Sequence, residues 1–266
     1  MILTTLLSLI SIYPWNAGIS LFGTTGQYST GEDYSSKAVY FSMDRRLKDG
    51  FTVGYEDLSI TTDSTTYRQY NTLARDIFWI KPQIRFGGIV GHIVTNLTDD
   101  GWLWGTQIEG DLPWFGYALG YTHSDYQNWQ PLFGNIQNTT EILIEQWDFS
   151  LSRRVSKNVF RLGLTQQSMG PDRYRTISTA WLFQPYPSTF ITLHYAFGES
   201  RYAVDPYALL LDNNPDVLNR VVSLRAGYRI TPNWSVNAVY SNHRYTGVTD
   251  EPYRVKYFAV GIQVRY

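Results

Sequence analysis

The chain has no cysteine, no apolar run of about 18 residues and almost no net charge. Without cysteine there is no disulfide framework and no Cys-ligated metal centre. Without a long apolar run there is no transmembrane helix. A membrane β-barrel stays open, because only alternate residues of its strands meet lipid. A formal net charge of −1 leaves no electrostatic footprint for nucleic acid. Histidine is scarce. His92, His123, His194 and His243 are scattered and never stand with each other or a carboxylate at ligand spacing, so no metal is expected. Glycine-rich phosphate loops are missing too, and no cofactor is expected. Lysine and arginine are absent before Lys37. The apolar stretch from Ile2 to Tyr13 has the length of a signal-peptide core, so residues 1–15 read either as a leader short of its basic end or as an ordered start.

What is abundant is aromatic. Tyr (21), Phe (13) and Trp (9) make up 16% of the chain, while its mean hydropathy is −0.26. Hydrophobicity recurs with a period of two, and helical periodicity is not sustained. Strands are expected near 16–28, 37–47, 51–60, 67–80, 83–95, 101–111, 114–124, 141–154, 158–167, 174–184, 189–198, 220–230, 233–244 and 253–266. That makes fourteen, with 12 or 16 reached if the 67–95 region splits or merges. Short links rich in Gly, Pro, Asn and Asp, such as 47–50 and 230–233, alternate with longer ones at 29–36, 61–66, 96–100, 125–140, 168–173, 199–219 and 245–252. A meander whose two ends face different surroundings produces this alternation.

The strand faces say which side is wet. In 233–244, Trp234, Val236, Ala238 and Tyr240 alternate with Ser235, Asn237, Ser241 and His243. In 220–230, Val222, Leu224, Ala226 and Tyr228 alternate with Ser223, Arg225, Gly227 and Arg229. The second set is too small and polar for a dry core, so the apolar set faces outward and the polar set lines a lumen. Closure of the sheet removes the edges that lipid would not tolerate. The reading is a single domain over 16–266, all-β, a closed up-and-down antiparallel transmembrane β-barrel. Trp79, Trp102, Trp114, Trp181, Phe183, Trp234 and Tyr266 near strand ends match interfacial girdles.

The final stretch, YFAVGIQVRY, alternates strictly and stops on an aromatic. With the features above, it makes the chain resemble the bacterial outer-membrane β-barrel class over nearly its whole length. Gly261, Val264 and Tyr266 look like the assembly signal of that class, with Ala259 where a polar residue is usual. Size and Tyr-rich strands are also similar to small barrels associated with exopolysaccharide systems. The resemblance implies a multi-pass protein of the bacterial outer membrane. Its partners would be outer-membrane lipid, lipopolysaccharide and the barrel-assembly machinery.

By the same parity, Asp44, Glu56, Asp76, Glu109 and Asp148 are expected to line the pore from the first half of the chain. Arg161, Arg225, Arg229 and Arg265 line it from the second, with Arg154 at the changeover and Arg46 and Arg85 as exceptions. In a closed meander, sequence order is angular order, so an acidic wall would face a basic one. The function expected is a channel passing small polar solutes or a saccharide chain. The alternative is a barrel plugged by ion pairs, working through its loops. In those loops Tyr126, Trp129 and Phe133 are placed to stack on sugar rings. Leu209 and Leu210 belong to an apolar run that would fold into the lumen, sit at the rim, touch a partner or pack with the other loop as a lid. A lipid hydrolase resembling the outer-membrane phospholipases would use His123 and Ser124. Adjacent strand residues point to opposite faces, however, and the His-x-Ser pattern of those enzymes is absent.

Overall fold

A computed structural model of the chain describes residues 16–45, 49–62, 65–96, 101–129, 140–205, 210–212, 216–247 and 251–266. The strands are β1 (Asn16–Tyr28), β2 (Asp33–Arg45), β3 (Asp49–Thr61), β4 (Thr66–Lys81), β5 (Ile84–Thr95), β6 (Gly101–Asp111), β7 (Gly116–Trp129) and β8 (Thr140–Val155). They continue as β9 (Asn158–Met169), β10 (Asp172–Tyr186), β11 (Thr189–Ser200), β12 (Ala203–Asp205), β13 (Leu210–Asp212), β14 (Val217–Arg229), β15 (Trp234–Thr246) and β16 (Pro252–Arg265). All but β12 and β13 form one closed antiparallel barrel of fourteen strands, each beside its neighbour in sequence order. The remaining two pair with each other as a short ribbon between β11 and β14.

The barrel closes where the terminal aromatic sits. Tyr266 N–H donates to Ala17 O at 2.8 Å and Ala17 N–H returns a bond to Tyr266 O at 3.3 Å. Along this seam Gly261 lies opposite Phe22, and a Cβ on residue 261 would come within 2.2 Å of the Phe22 ring. Glycine there lets the ring lie across the junction.

A belt of exposed apolar side chains defines the outer face: Leu21, Phe41, Tyr55, Val90, Trp104, Trp147, Leu162, Leu193, Leu224, Tyr240 and Val260 among them. No soluble protein leaves so continuous an apolar surface uncovered; lipid covers it. Each alternate residue then faces the lumen. Turns at 82–83, 156–157 and 187–188 lie at the end that holds Asn16 and Tyr266, and the ribbon lies at the other. One link expected to be long is not: between β9 and β10 the chain turns at 170–171, with Gly170 at φ 57°.

Register corrects one face. Asp76 was expected in the pore, but it pairs opposite Phe51 and Gly88 on the outer face, and it is exposed. The pairing of β4 with β3 runs without a break from Thr66 to Phe78, so one parity holds throughout and turns Tyr67, Gln69, Asn71, Leu73 and Arg75 inward. The inner wall is also less polar than expected here. Leu73, Ile89, Ile93 and Leu103 all face inward and are buried.

Candidate functional site

What covers those inward apolar residues is the segment that leads from β11 into the ribbon. Its approach begins at Gly198, where φ is +118° and a Cβ would meet Arg175 O at 2.2 Å. Only glycine accepts that backbone and that approach. The register of β11 with β14 shifts between Phe197 and Ser200, a bulge that ends regular pairing. The chain then turns into the lumen, and Tyr202 and Val204 pack into a cluster with Leu73, Ile89, Ile93, Leu103, Tyr126 and Ile144.

Two glutamines of the wall hold this segment as a neighbouring strand would. Gln167 accepts from Arg201 N–H at 2.9 Å and donates to Arg201 O at 2.8 Å. Gln146 accepts from Val204 N–H at 3.2 Å and donates to Val204 O at 2.6 Å. Gln167 also donates to Gln146 at 2.9 Å. A side-chain amide carries one donor side and one acceptor, so it satisfies a backbone amide completely. The Arg201 guanidinium lies over Tyr174, 5.4 Å from the ring centre. Burial pushes the Tyr202 phenol above its ordinary range, so it stays neutral.

The expected pore residues separate into two groups. On the acidic side, each described carboxylate has polar company. Glu109 receives Arg85 at 2.5 Å and Arg75 at 3.4 Å. Asp148 accepts from Thr165 at 2.6 Å and Gln146 at 2.7 Å. Glu56 accepts from Asn71 at 3.1 Å, and Asp44, at the rim, from Asn16 at 3.2 Å.

The basic side is arranged differently. Arg161 donates to Ser150 at 2.9 Å, and Arg265 reaches Gln263 at 3.4 Å. Arg225 and Arg229 face the lumen and are exposed to its water. Neither makes an ion pair among the described residues, and Arg154 is exposed as well. Arg225 stacks over Phe190, 5.4 Å from its centre. Phe190 in turn lies close over Gly227, where a Cβ would stand 2.2 Å from the ring. The cation is thus held by an aromatic platform rather than by an acid. Sequence parity located these arginines, but the platform depends on cross-strand register.

Other expected contacts fall elsewhere. Tyr126 is no exposed sugar platform; it is buried at 2% exposure, with its ring 5.3 Å from that of Tyr202. Trp129 and Leu210 are placed as strand residues opposite Thr140 and Asp205. Phe133, Leu209 and Arg46 lie outside the described residues. His123 faces outward beside Trp104, ring centres 5.5 Å apart, whereas Ser124 is buried inside. The two do not form a nucleophile and base. The glutamine clasp was missed because Gln146 and Gln167 look like any lumen-facing polar residues.

No protein-family model matches the chain, and no curated protein matches it. Solved structures do. The CymD monoaromatic hydrocarbon channel aligns with a TM-score of 0.61 at 9% identity, over 96% of this chain and 89% of its own. The toluene transporter TbuX of Ralstonia pickettii gives 0.59 at 8%, over 96% and 90%. The NanC porin gives 0.52 at 12%, over 92% and 98%. At these identities the likeness is one of architecture, and this chain folds as a closed fourteen-stranded barrel of the bacterial outer-membrane type.

Proposed function

We propose that the protein is a bacterial outer-membrane channel for small polar solutes or a saccharide chain, and that its lumen favours anions. The observation that carries this reading is the charge imbalance of the water-exposed wall. The carboxylates Glu56, Glu109 and Asp148 are bonded to arginine, amide or hydroxyl groups, while Arg225 and Arg229 stand exposed with no ion-pair partner among the described residues. The three carboxylates are buried or half-buried among their donors, so the charge that meets the lumen water is mainly that of the arginines, and exposed wall charge sets ion selectivity in a pore. The solved channels of this architecture support the class of function by analogy. On the same reading, the strand ending in Gly261, Val264 and Tyr266 is what the barrel-assembly machinery would recognise.

A plugged barrel is the second reading, favoured by the segment after β11 that packs Tyr202 and Val204 against the inner wall. The test is conductance of the purified protein in a planar bilayer, with reversal potentials in a salt gradient. Stable, anion-favouring steps whose selectivity falls in R225E/R229E are expected. A correctly folded protein that never conducts would overturn the channel reading.

A further inference from the structure

The outer face carries a charge pattern that a channel does not need. Along β14 the outward residues run Leu224, Val222, then Arg220; along β15, Tyr240, Asn242, then Arg244; along β16, Phe258, Lys256, then Arg254. Register brings the arginines together. Arg220 pairs opposite Arg244, and Arg244 opposite Arg254. Lys256 lies one outward position below, opposite Asn242 and Gln27. With strands about 4.8 Å apart, three arginines form a row about 10 Å long.

Like charges directly across a ladder repel. Here three stand in line, all exposed, and none of them nor Lys256 makes an ion pair among the described residues. The backbone beneath is fixed. Ser29 N–H donates to Arg254 O at 2.8 Å, and Arg254 N–H donates to Ser29 Oγ at 3.0 Å. The row also has a definite height, at the margin of the apolar belt on the end away from Asn16 and Tyr266. Directly below lie Val222, Leu224, Tyr240, Phe258 and Val260, all exposed.

We infer that Arg220, Arg244, Arg254 and Lys256 form a binding site for the phosphate groups of a multiply phosphorylated lipid in the leaflet at the loop end of the barrel. Guanidinium groups match phosphate oxygens in paired hydrogen bonds, and a row of them suits an anion with more than one phosphate. The apolar bed beneath accepts acyl chains, which selects a lipid over free phosphate. Bound anions remove the repulsion that the row otherwise carries.

The test uses the full chain, purified in detergent and shown to be folded by heat-modifiable gel mobility. Retained lipid is counted by native mass spectrometry after mixing with bisphosphorylated lipid A, phosphatidylcholine or inorganic pyrophosphate. Wild type is expected to hold lipid A, and R220Q/R244Q/R254Q to lose at least tenfold of that retention. R244Q alone is expected to lose several-fold, and serves if the triple variant does not fold. R68Q, which removes an exposed outward arginine on β4, is expected to leave retention unchanged. Equal retention by wild type and the arginine variants would overturn the site, as would equal retention of phosphatidylcholine. Displacement of lipid A by equimolar pyrophosphate would overturn the lipid as the ligand.

Discussion

Replacing Gln146 and Gln167 with alanine removes the four hydrogen bonds that tie the backbone of Arg201 and Val204 to the lumen wall. Each contributes about 0.5–1.5 kcal/mol net, so the four together hold the segment with about 2–6 kcal/mol. At about 1.4 kcal/mol per factor of ten, the docked-to-displaced ratio falls by about 30-fold to about 10⁴-fold. The closed ladder of the fourteen barrel strands does not depend on these bonds, so the segment samples the undocked state without unfolding the barrel. Two readouts follow the shift. In a planar bilayer, the double variant spends a larger fraction of time in its highest conductance level than wild type. In solution, Val204→Cys gives a single thiol in a chain that has none, and it reacts faster with a bulky thiol reagent when both glutamines are alanine. Identical open fractions together with identical labelling rates would refute the clasp as the element holding the segment against the wall.

Glu109→Ala leaves Arg75 and Arg85 without their shared carboxylate; about 3–5 kcal/mol is lost when one partner of a buried pair is removed, with the half-exposed Arg85 drawing the figure toward the lower end. Urea unfolding followed by gel mobility measures it, and Glu109→Gln is expected to lose less. Gly261→Val forces a Cβ against the Phe22 ring and costs about 1–3 kcal/mol by overpacking. Adding Phe22→Ala restores much of that stability, which separates the clash from any general effect of valine in the last strand. The Tyr202 phenol, raised by burial and by the neighbouring Tyr126, stabilises docking below the ordinary phenol pKa of about 10. Because the docked state favours the neutral form, that contribution is constant through neutral pH and is lost as pH rises through the phenol's raised value. Conductance recorded across alkaline pH checks the sign, and Tyr202→Phe removes the dependence.

Alternation is a local property, and that is why the strands, their outward apolar set and the closing aromatic were legible in order along the chain. Phe258, Val260, Ile262 and Val264 face outward because a strand has a period of two, whatever surrounds it. The inward position of Arg225 and Arg229 followed from the same period. Asp76 did not, because Arg75 and Asp76 are adjacent charges in a stretch where either parity is plausible. The choice rests on β4 pairing unbroken with β3, and on Glu109 waiting across the wall for Arg75.

Composition and periodicity thus determined an antiparallel barrel with an apolar outside and a largely polar inside. Tertiary structure alone decided what fills that inside. The glutamine clasp joins residues 34 and 58 positions apart in sequence. The arginine row of Arg220, Arg244 and Arg254 exists only once three strands are in register. Hydrogen bonding across strands sets register through the whole closed sheet, and no stretch of sequence contains that information locally.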